Sequence, residues 1–329
     1  MKKSTKGLLV AAGFCTAALA GAAYLSGRLL VNAAVKREGV KVKLPHKFQS
    51  KITGGLLDDP MVKDLAVLAD KVKKLPVEQV SITSDEGFNL TGSLYGCENP
   101  KRIVLAMHGW RSNWWTDFCC SIDFLHNEDC IMLMPDQRGT NDSEGDFIGF
   151  GVLERNDCAL WVKYIVERFG NDLPIYLLGI SMGATTVLMT SGCELPDCVK
   201  GIISDCGFTS PHAIWKHVLD NNLKMNEKVT YPIANAILKK EANFSGDDYS
   251  TIDALKVNTR PVLFIHGSDD KFVPIDMTFE NYLATSAPKQ LLIVPGAGHG
   301  MSYVIDTKSY QKTVRKFFNK CENNLWDNK

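Results

Sequence analysis

From residue 103 onward the chain carries six short apolar runs that do not alternate with polar residues: Ile103–Met107, Cys130–Met134, Ile175–Leu178, Val199–Ser204, Pro261–Ile265 and Leu291–Val294. A strand with one wet face alternates, whereas a strand covered on both faces does not. Helical patterns stand between most of the runs, at Leu153–Phe169, Met182–Ser191, Ile275–Ala287 and Lys308–Asn319. In the first of these, Leu160, Trp161, Tyr164 and Ile165 mark one face. Buried strands alternating with helices predict an α/β fold with a mostly parallel, doubly wound sheet. Ahead of them, Val77–Thr83 and Phe88–Tyr95 flank Asp85-Glu86-Gly87 and read as an antiparallel hairpin.

One interval breaks the rhythm. Residues 207–258 hold no strand pattern, and the stretch is too long for a simple loop. It reads as an inserted helical cap, with helices at Ala213–Asp220 and Ile233–Lys240. The expected organisation is an N-terminal transmembrane anchor or signal segment over 1–28, then a basic connector and a polar amphipathic helix (around Asp58–Lys74) over 29–75. The α/β domain with its cap follows over 76–320.

Charge cancels over the whole chain, 37 basic minus 37 acidic residues giving 0, which argues against a nucleic-acid partner. Residues 1–51 nevertheless carry ten Lys/Arg against Glu38 alone, a balance of +9 that leaves −9 for the remainder. Lys2, Lys3 and Lys6 precede an uncharged run from Gly7 to Gly27. As a helix that run is about 31 Å long, enough to cross a bilayer core. The expectation is a membrane-anchored protein with one N-terminal span and a basic stretch beside anionic head groups. A cleaved signal, cut after Ala18-Leu19-Ala20, is the rival and makes the protein secreted. Basic residues on both sides of the run leave its orientation unset.

The ten cysteines contain no CxxC spacing, so no metal site is expected and the thiols read as small buried apolar groups. No GxxxxGK or GxGxxG loop is present, and no cofactor is expected.

The chemistry gathers where apolar runs end. Ile175–Leu178 leads into Gly179-Ile180-Ser181-Met182-Gly183, with a helical pattern behind it. This G-x-S-x-G turn between strand and helix lifts a serine above the sheet edge, at a helix N-terminus that favours an oxyanion. Such a serine needs a base and an acid. Leu291–Val294 is followed by Pro295-Gly296-Ala297-Gly298-His299-Gly300, which supplies His299. Pro261–Ile265 is followed by His266-Gly267-Ser268-Asp269-Asp270, and Val199–Ser204 by Asp205, so three acids compete. Ile103–Met107 ends in His108-Gly109-Trp110. There the backbone N–H of Trp110, with that of Met182, is placed to form an oxyanion hole, while His108 reads as structural.

These motifs, HGW at 108–110, PDQRGTNDSEG at 135–145, GISMG at 179–183, HGSDDKFVP at 266–274 and PGAGHG at 295–300, resemble the α/β-hydrolase superfamily over roughly residues 76–320. More narrowly the chain resembles bacterial membrane-anchored serine hydrolases with a serine aminopeptidase S33-type domain. Arg138-Gly139-Thr140-Asn141 departs from the RGHG usual there. The resemblance implies Ser181, Asp270 and His299 as the catalytic residues, because the family's acid stands three places before Val-Pro. It also implies a serine hydrolase that cleaves a carboxylic ester of a small-molecule acyl substrate through an acyl-enzyme. The alternatives are a catalytically silent binding protein of the same fold, or a peptidase or thioesterase. Trp110, Trp114, Trp115, Phe208, Trp215 and Tyr231 either line an apolar cleft or pack the cap onto the core.

Overall fold

The structure, a computed structural model, describes residues 21–39 and 46–326. Strands β1 (Glu78–Thr83) and β2 (Asn89–Tyr95) form the antiparallel hairpin. Strands β3 (Arg102–Met107), β4 (Cys130–Pro135), β5 (Ile175–Ile180), β6 (Val199–Asp205), β7 (Val262–Gly267) and β8 (Lys289–Val294) run parallel. The eight strands lie in the order β1-β2-β4-β3-β5-β6-β7-β8, with β2 antiparallel to β4. Every residue of β3, β4 and β7 is buried, the physical reason those runs show no alternation. The α/β-hydrolase fold expected from the sequence is present in this sheet.

Helices cover both faces. We number those used below α1 (Pro60–Val72), α2 (Glu154–Phe169), α3 (Met182–Thr190), α4 (Pro211–His217), α5 (Glu227–Glu241), α6 (Thr251–Val257), α7 (Ile275–Ala284) and α8 (Thr307–Glu322). On one face Trp161 and Ile165 of α2, Val187 and Leu188 of α3 and Leu255 of α6 pack on the sheet. On the other, α8 presents Tyr310, Val314, Phe317 and Phe318, a three-to-four spacing that keeps them on one side of the helix. Ala69 and Val72 of α1 join that second face.

Between β6 and β7 the chain forms α4, α5 and α6. The α4 helix continues through a wider turn to Leu223. The α5 helix is longer than the Ile233–Lys240 pattern suggests. Asn226 caps it by accepting from the Lys228 N–H, and the helix runs through Pro232. A proline there removes one backbone donor, but buried Tyr231, Ala234 and Leu238 hold the turns on either side.

The N-terminal transmembrane helix needs correction. Residues 7–20 of the Gly7–Gly27 run lie outside the described residues, and among those described no helix is long and apolar enough to cross a membrane. The described end of the run docks on the cap instead. A side chain at Gly27 would come within 2.7 Å of Ile233 and 2.9 Å of the Ala234 backbone, so the two helices touch along their backbones. Ser26 meets Thr230, and Arg28 and Lys36 both pair with Glu241. Two of the basic charges expected to face lipid head groups are instead paired with Glu241 at the protein's surface. The membrane-anchored localisation and the membrane contact expected from that span find no support among the described residues.

Candidate active site

The turn after β5 is shaped by two glycines. A Cβ at Gly179 would lie 2.2 Å from the Gly183 backbone, and one at Gly183 would lie 1.9 Å from the Met107 carbonyl oxygen. No side chain fits either contact, and the close approach lets α3 start directly behind the strand. Ser181 between them holds φ 56°, a left-handed conformation that a non-glycine residue adopts only where its surroundings impose it. Its N–H donates to the Asp205 carbonyl across to β6. The serine oxygen is thereby fixed above the C-terminal edge of the sheet.

His299, in the loop after β8, lies with Nε2 2.8 Å from Ser181 Oγ. Its Nδ1 is 2.7 Å from Asp270 Oδ2. The other Asp270 oxygen accepts the N–H groups of Phe272 and Val273, both at 2.9 Å. With Nδ1 donating to the carboxylate, Nε2 is left free to accept the serine proton.

Of the three competing acids, Asp270 is hydrogen-bonded to His299. Asp205 is buried and instead accepts from Ser302 Oγ at 3.2 Å and interacts with Tyr310. Burial pushes its carboxyl up to about 6 against the pull of His266, Ser302, His299 and Tyr310. Asp269 is exposed and accepts from Ser268 Oγ at 2.6 Å.

Burial opposes the charged form of Asp270, but the neighbouring His299 charge and the hydrogen bonds from His266 and His299 outweigh it. Its carboxyl is held below the usual carboxylate range. For His299 burial likewise opposes the charge, and the Asp270 carboxylate overcomes it, raising the imidazole well above 6.5.

His266 lies at the end of β7, next to the acid loop. Its Nε2 is 3.0 Å from the Val273 carbonyl and 3.1 Å from Asp270 Oδ2, and its Nδ1 is 2.7 Å from Thr278 Oγ1. A carbonyl only accepts, so Nε2 carries the proton and Nδ1 accepts from the threonine hydroxyl. Asp270 Oδ2 thus lies within donor reach of two imidazoles. Only the fold could find this contact, because an isolated histidine ending a buried strand reads as core.

The loop after β3 closes the site. Gly109 abuts the serine, since a Cβ there would meet Ser181 Cβ at 3.4 Å. Asp117 anchors the loop by accepting from the Gly109 N–H and the Ser112 hydroxyl. Met182 opens α3, so its N–H has no acceptor within the helix. Among the described residues neither the Trp110 nor the Met182 amide donates to a protein acceptor. The His108 ring lies beneath the loop, accepting the Gln137 N–H at Nε2.

Cys206 adds a buried thiol against His299, its ionisation pushed up to about 11 by burial. Donor atoms of Cys206, Asp270 and His299 lie within 4.8 Å of one another, the one group of three potential metal donors found among the described residues. His299 and Asp270 already direct theirs at each other and at Ser181. Of the aromatic residues, Trp110 and Trp115 line the cleft, while Trp114, Phe208, Trp215 and Tyr231 are buried in the core and cap.

Residues 115–324 match the prolyl oligopeptidase family. YqkD of Bacillus subtilis, an uncharacterized protein, is 26% identical over 239 residues, 72% of this chain and 77% of its own. An esterase of Pyrococcus furiosus superposes with a TM-score of 0.60 at 19% identity, over 79% of this chain and 93% of the esterase. Est1E of Butyrivibrio proteoclasticus, solved with ferulic acid bound, superposes with a TM-score of 0.56 at 16% identity, over 74% and 99%. Likeness at that identity speaks for the fold. The chain belongs to the prolyl oligopeptidase family, within the α/β-hydrolase superfamily, and is an enzyme of the serine hydrolase type. The narrower S33-type resemblance has no counterpart in these matches.

Proposed function

We propose that this member of the prolyl oligopeptidase family hydrolyses carboxylic esters with Ser181, His299 and Asp270 as its catalytic residues. The observation that carries the reading is the unbroken hydrogen-bonded line from Ser181 Oγ through His299 to Asp270 Oδ2. Ser181 Oγ attacks the ester carbonyl carbon while its proton passes to His299 Nε2. The Asp270 carboxylate stabilises the imidazolium that forms. The carbonyl oxygen becomes an oxyanion facing the amides of Trp110 and Met182. Collapse of that adduct breaks the C–O bond to the alcohol, which leaves with the proton from His299. Water then attacks the acyl-serine, with His299 as base, and releases the acid and free Ser181.

A fluorophosphonate probe and a set of nitrophenyl esters test this. Wild type is expected to label at Ser181 and to turn over ester, and Ser181→Ala to do neither. Labelling of Ser181→Ala on another residue, or ester turnover without Ser181, overturns the assignment. A peptide bond is the second substrate class, favoured by the family's name, and dipeptidyl anilides offered beside the esters decide between them.

A further inference from the structure

The cleft does not end at the serine. A cavity of about 770 Å³ begins at Ser181, His299 and Gly109 and continues beneath α1. That volume lies within the range of sites that enclose a whole small ligand. Its outer wall comes from before the first strand: Leu56, Leu57, Val62, Leu65 and Ala69 all border it. Val62, Leu65 and Ala69 are spaced i, i+3, i+7, so α1 turns one apolar face toward the space. Leu56, Leu57, Val62 and Leu65 are only half-buried: Leu56, Val62 and Leu65 pack in part on Val294, Ala297 and Met301, and all four also border the space. Ile180, Trp115 and Tyr303 supply apolar surface from the core side.

Most of the charged groups along this space are engaged within the protein, and Glu38 and Asp70 stand at its exposed border. Asp117 holds the Gly109 loop, and Asp205 is tied to Ser302. Arg111 donates to the carbonyls of Ala33, Lys36 and Arg37. Gln49, Thr53, Ser112 and Thr116 also border the space, but along the α1 wall a peptide would put its amide groups against leucine and valine side chains, at a desolvation cost. A hydrocarbon chain would lose only water.

We infer that the arm beneath α1 receives the hydrocarbon chain of an extended ester, so that the preferred substrates are long-chain esters and residues 56–69 set the chain length. The inference rests on the ester-hydrolase reading above. It makes the segment before the sheet part of the substrate site and assigns the cap no share in chain selection.

Two ester series on the purified protein test it, acyl chains of two to twelve carbons on one nitrophenyl leaving group, and acetate esters of alkanols of the same lengths. Each buried methylene strengthens binding roughly fourfold. The expected result is that kcat/KM rises at least about a hundredfold from two to eight carbons in one of the series, which identifies the side of the ester that enters the arm. Ala66→Trp and Leu57→Trp each narrow the wall, and either is expected to lower the eight-to-two-carbon ratio of kcat/KM at least about tenfold. Two variants are used so that one failing to fold, as read by melting temperature, leaves the other informative. If the wild type labels with fluorophosphonate and cleaves short esters, yet neither series rises with length, the inference is overturned and the hydrolase reading stands. The same holds if both folded variants keep the wild-type ratio, or if dipeptidyl anilides are the better substrates of the labelled enzyme. If Ser181 neither labels nor cleaves any ester, the hydrolase reading fails and takes the inference with it.

Discussion

The side of the cleft that carries Ser181, Asp270 and His299 is built from strand ends whose backbones are tied to neighbouring strands and loops. Ser181 N–H bonds to Asp205, Cys206 to Ile265, Ser268 to Val294 and Asp269 to Ala297, all between 2.9 and 3.0 Å. The facing side, residues 31–39 and 46–72, precedes the sheet; it makes backbone bonds to the loop at 146–148, Ile148 N–H to Val35 and Arg37 N–H to Asp146, and otherwise docks through side chains. Trp110 Nε1 donates to the Ala34 carbonyl at 2.8 Å, Asn222 Nδ2 to the Ile52 carbonyl at 2.9 Å, and Ala69 and Val72 enter the core. Backbone ladders hold atoms to the tolerance that bond-making requires, while side-chain docking leaves a wall that changes shape at little cost to the fold. On the proposals above, chemistry and substrate choice would then fall to parts of the molecule held in different ways.

The sharpest way to break this division is to remove groups from the rigid side. Ser181→Ala should abolish turnover, and His299→Ala should lower kcat by several orders of magnitude, with the melting temperature little changed. Asp270→Asn should cost about 10⁴ in kcat, the magnitude known for a serine protease whose imidazole is left in the wrong tautomer. Asp205→Asn and Asp269→Asn should cost far less. A crippled Asp205→Asn beside a near-normal Asp270→Asn would move the acid to the end of β6.

The same pair of residues predicts a pH profile. His299 is a base only when neutral, and the Asp270 charge raises its ionisation above 6.5. The kcat/KM of wild type should therefore rise with pH along a limb centred above that value. Asp270→Asn removes the charge responsible, so the limb of its residual activity should move to lower pH. A limb that stays in place would mean that Asp270 does not govern the imidazole.

His266 is the next step down. Its Nε2–H, directed at the Val273 carbonyl, also lies 3.1 Å from the buried carboxylate, and a charge-assisted contact of that kind is worth about 1.5–3 kcal/mol. His266→Ala should then reduce kcat roughly 10- to 100-fold. His266→Gln keeps a side-chain donor and should recover part of the loss. Equal losses in the two variants, each tracking a fallen melting temperature, would leave His266 a packing residue only.

The uneven legibility of the sequence follows the same division. The strands were readable because burial on both faces leaves an uninterrupted apolar run, and the Ser181 turn because sterics admit only glycine at 179 and 183. His266 was not readable: its partners Thr278, Val273 and Asp270 meet it only through the packing of α7 and the acid loop on β7. The pattern at Ile233–Lys240 begins behind Pro232, whereas the Asn226 cap and the cap core carry the helix through that proline from Glu227. Length and hydropathy describe what the N-terminal run can cross, not what its described end, residues 21–27, docks on. Gly27 lies against α5, and Arg28 and Lys36 find Glu241 there, contacts that no local pattern encodes.

The smallest effect concerns the strap at residues 31–38, where the two sides of the cleft meet. The Trp110 amide is the one proposed to face the oxyanion, and its indole holds the Ala34 carbonyl. Val35 accepts the Ile148 N–H at 2.7 Å on the other flank. Trp110→Phe retains a ring against Phe150 but removes the indole donor. One lost hydrogen bond with a partly buried carbonyl left behind should lower stability by about 1 kcal/mol. Because the backbone amide is untouched, kcat on a short ester should fall only a few-fold. Hydrogen exchange at residues 31–38 is the more sensitive reading: the strap should open more often while the strands stay protected. If Trp110→Phe instead lost turnover as severely as Asp270→Asn with exchange in the strap unchanged, the indole would belong to the reacting site, and the proposed separation between the side that reacts and the side that selects would not hold.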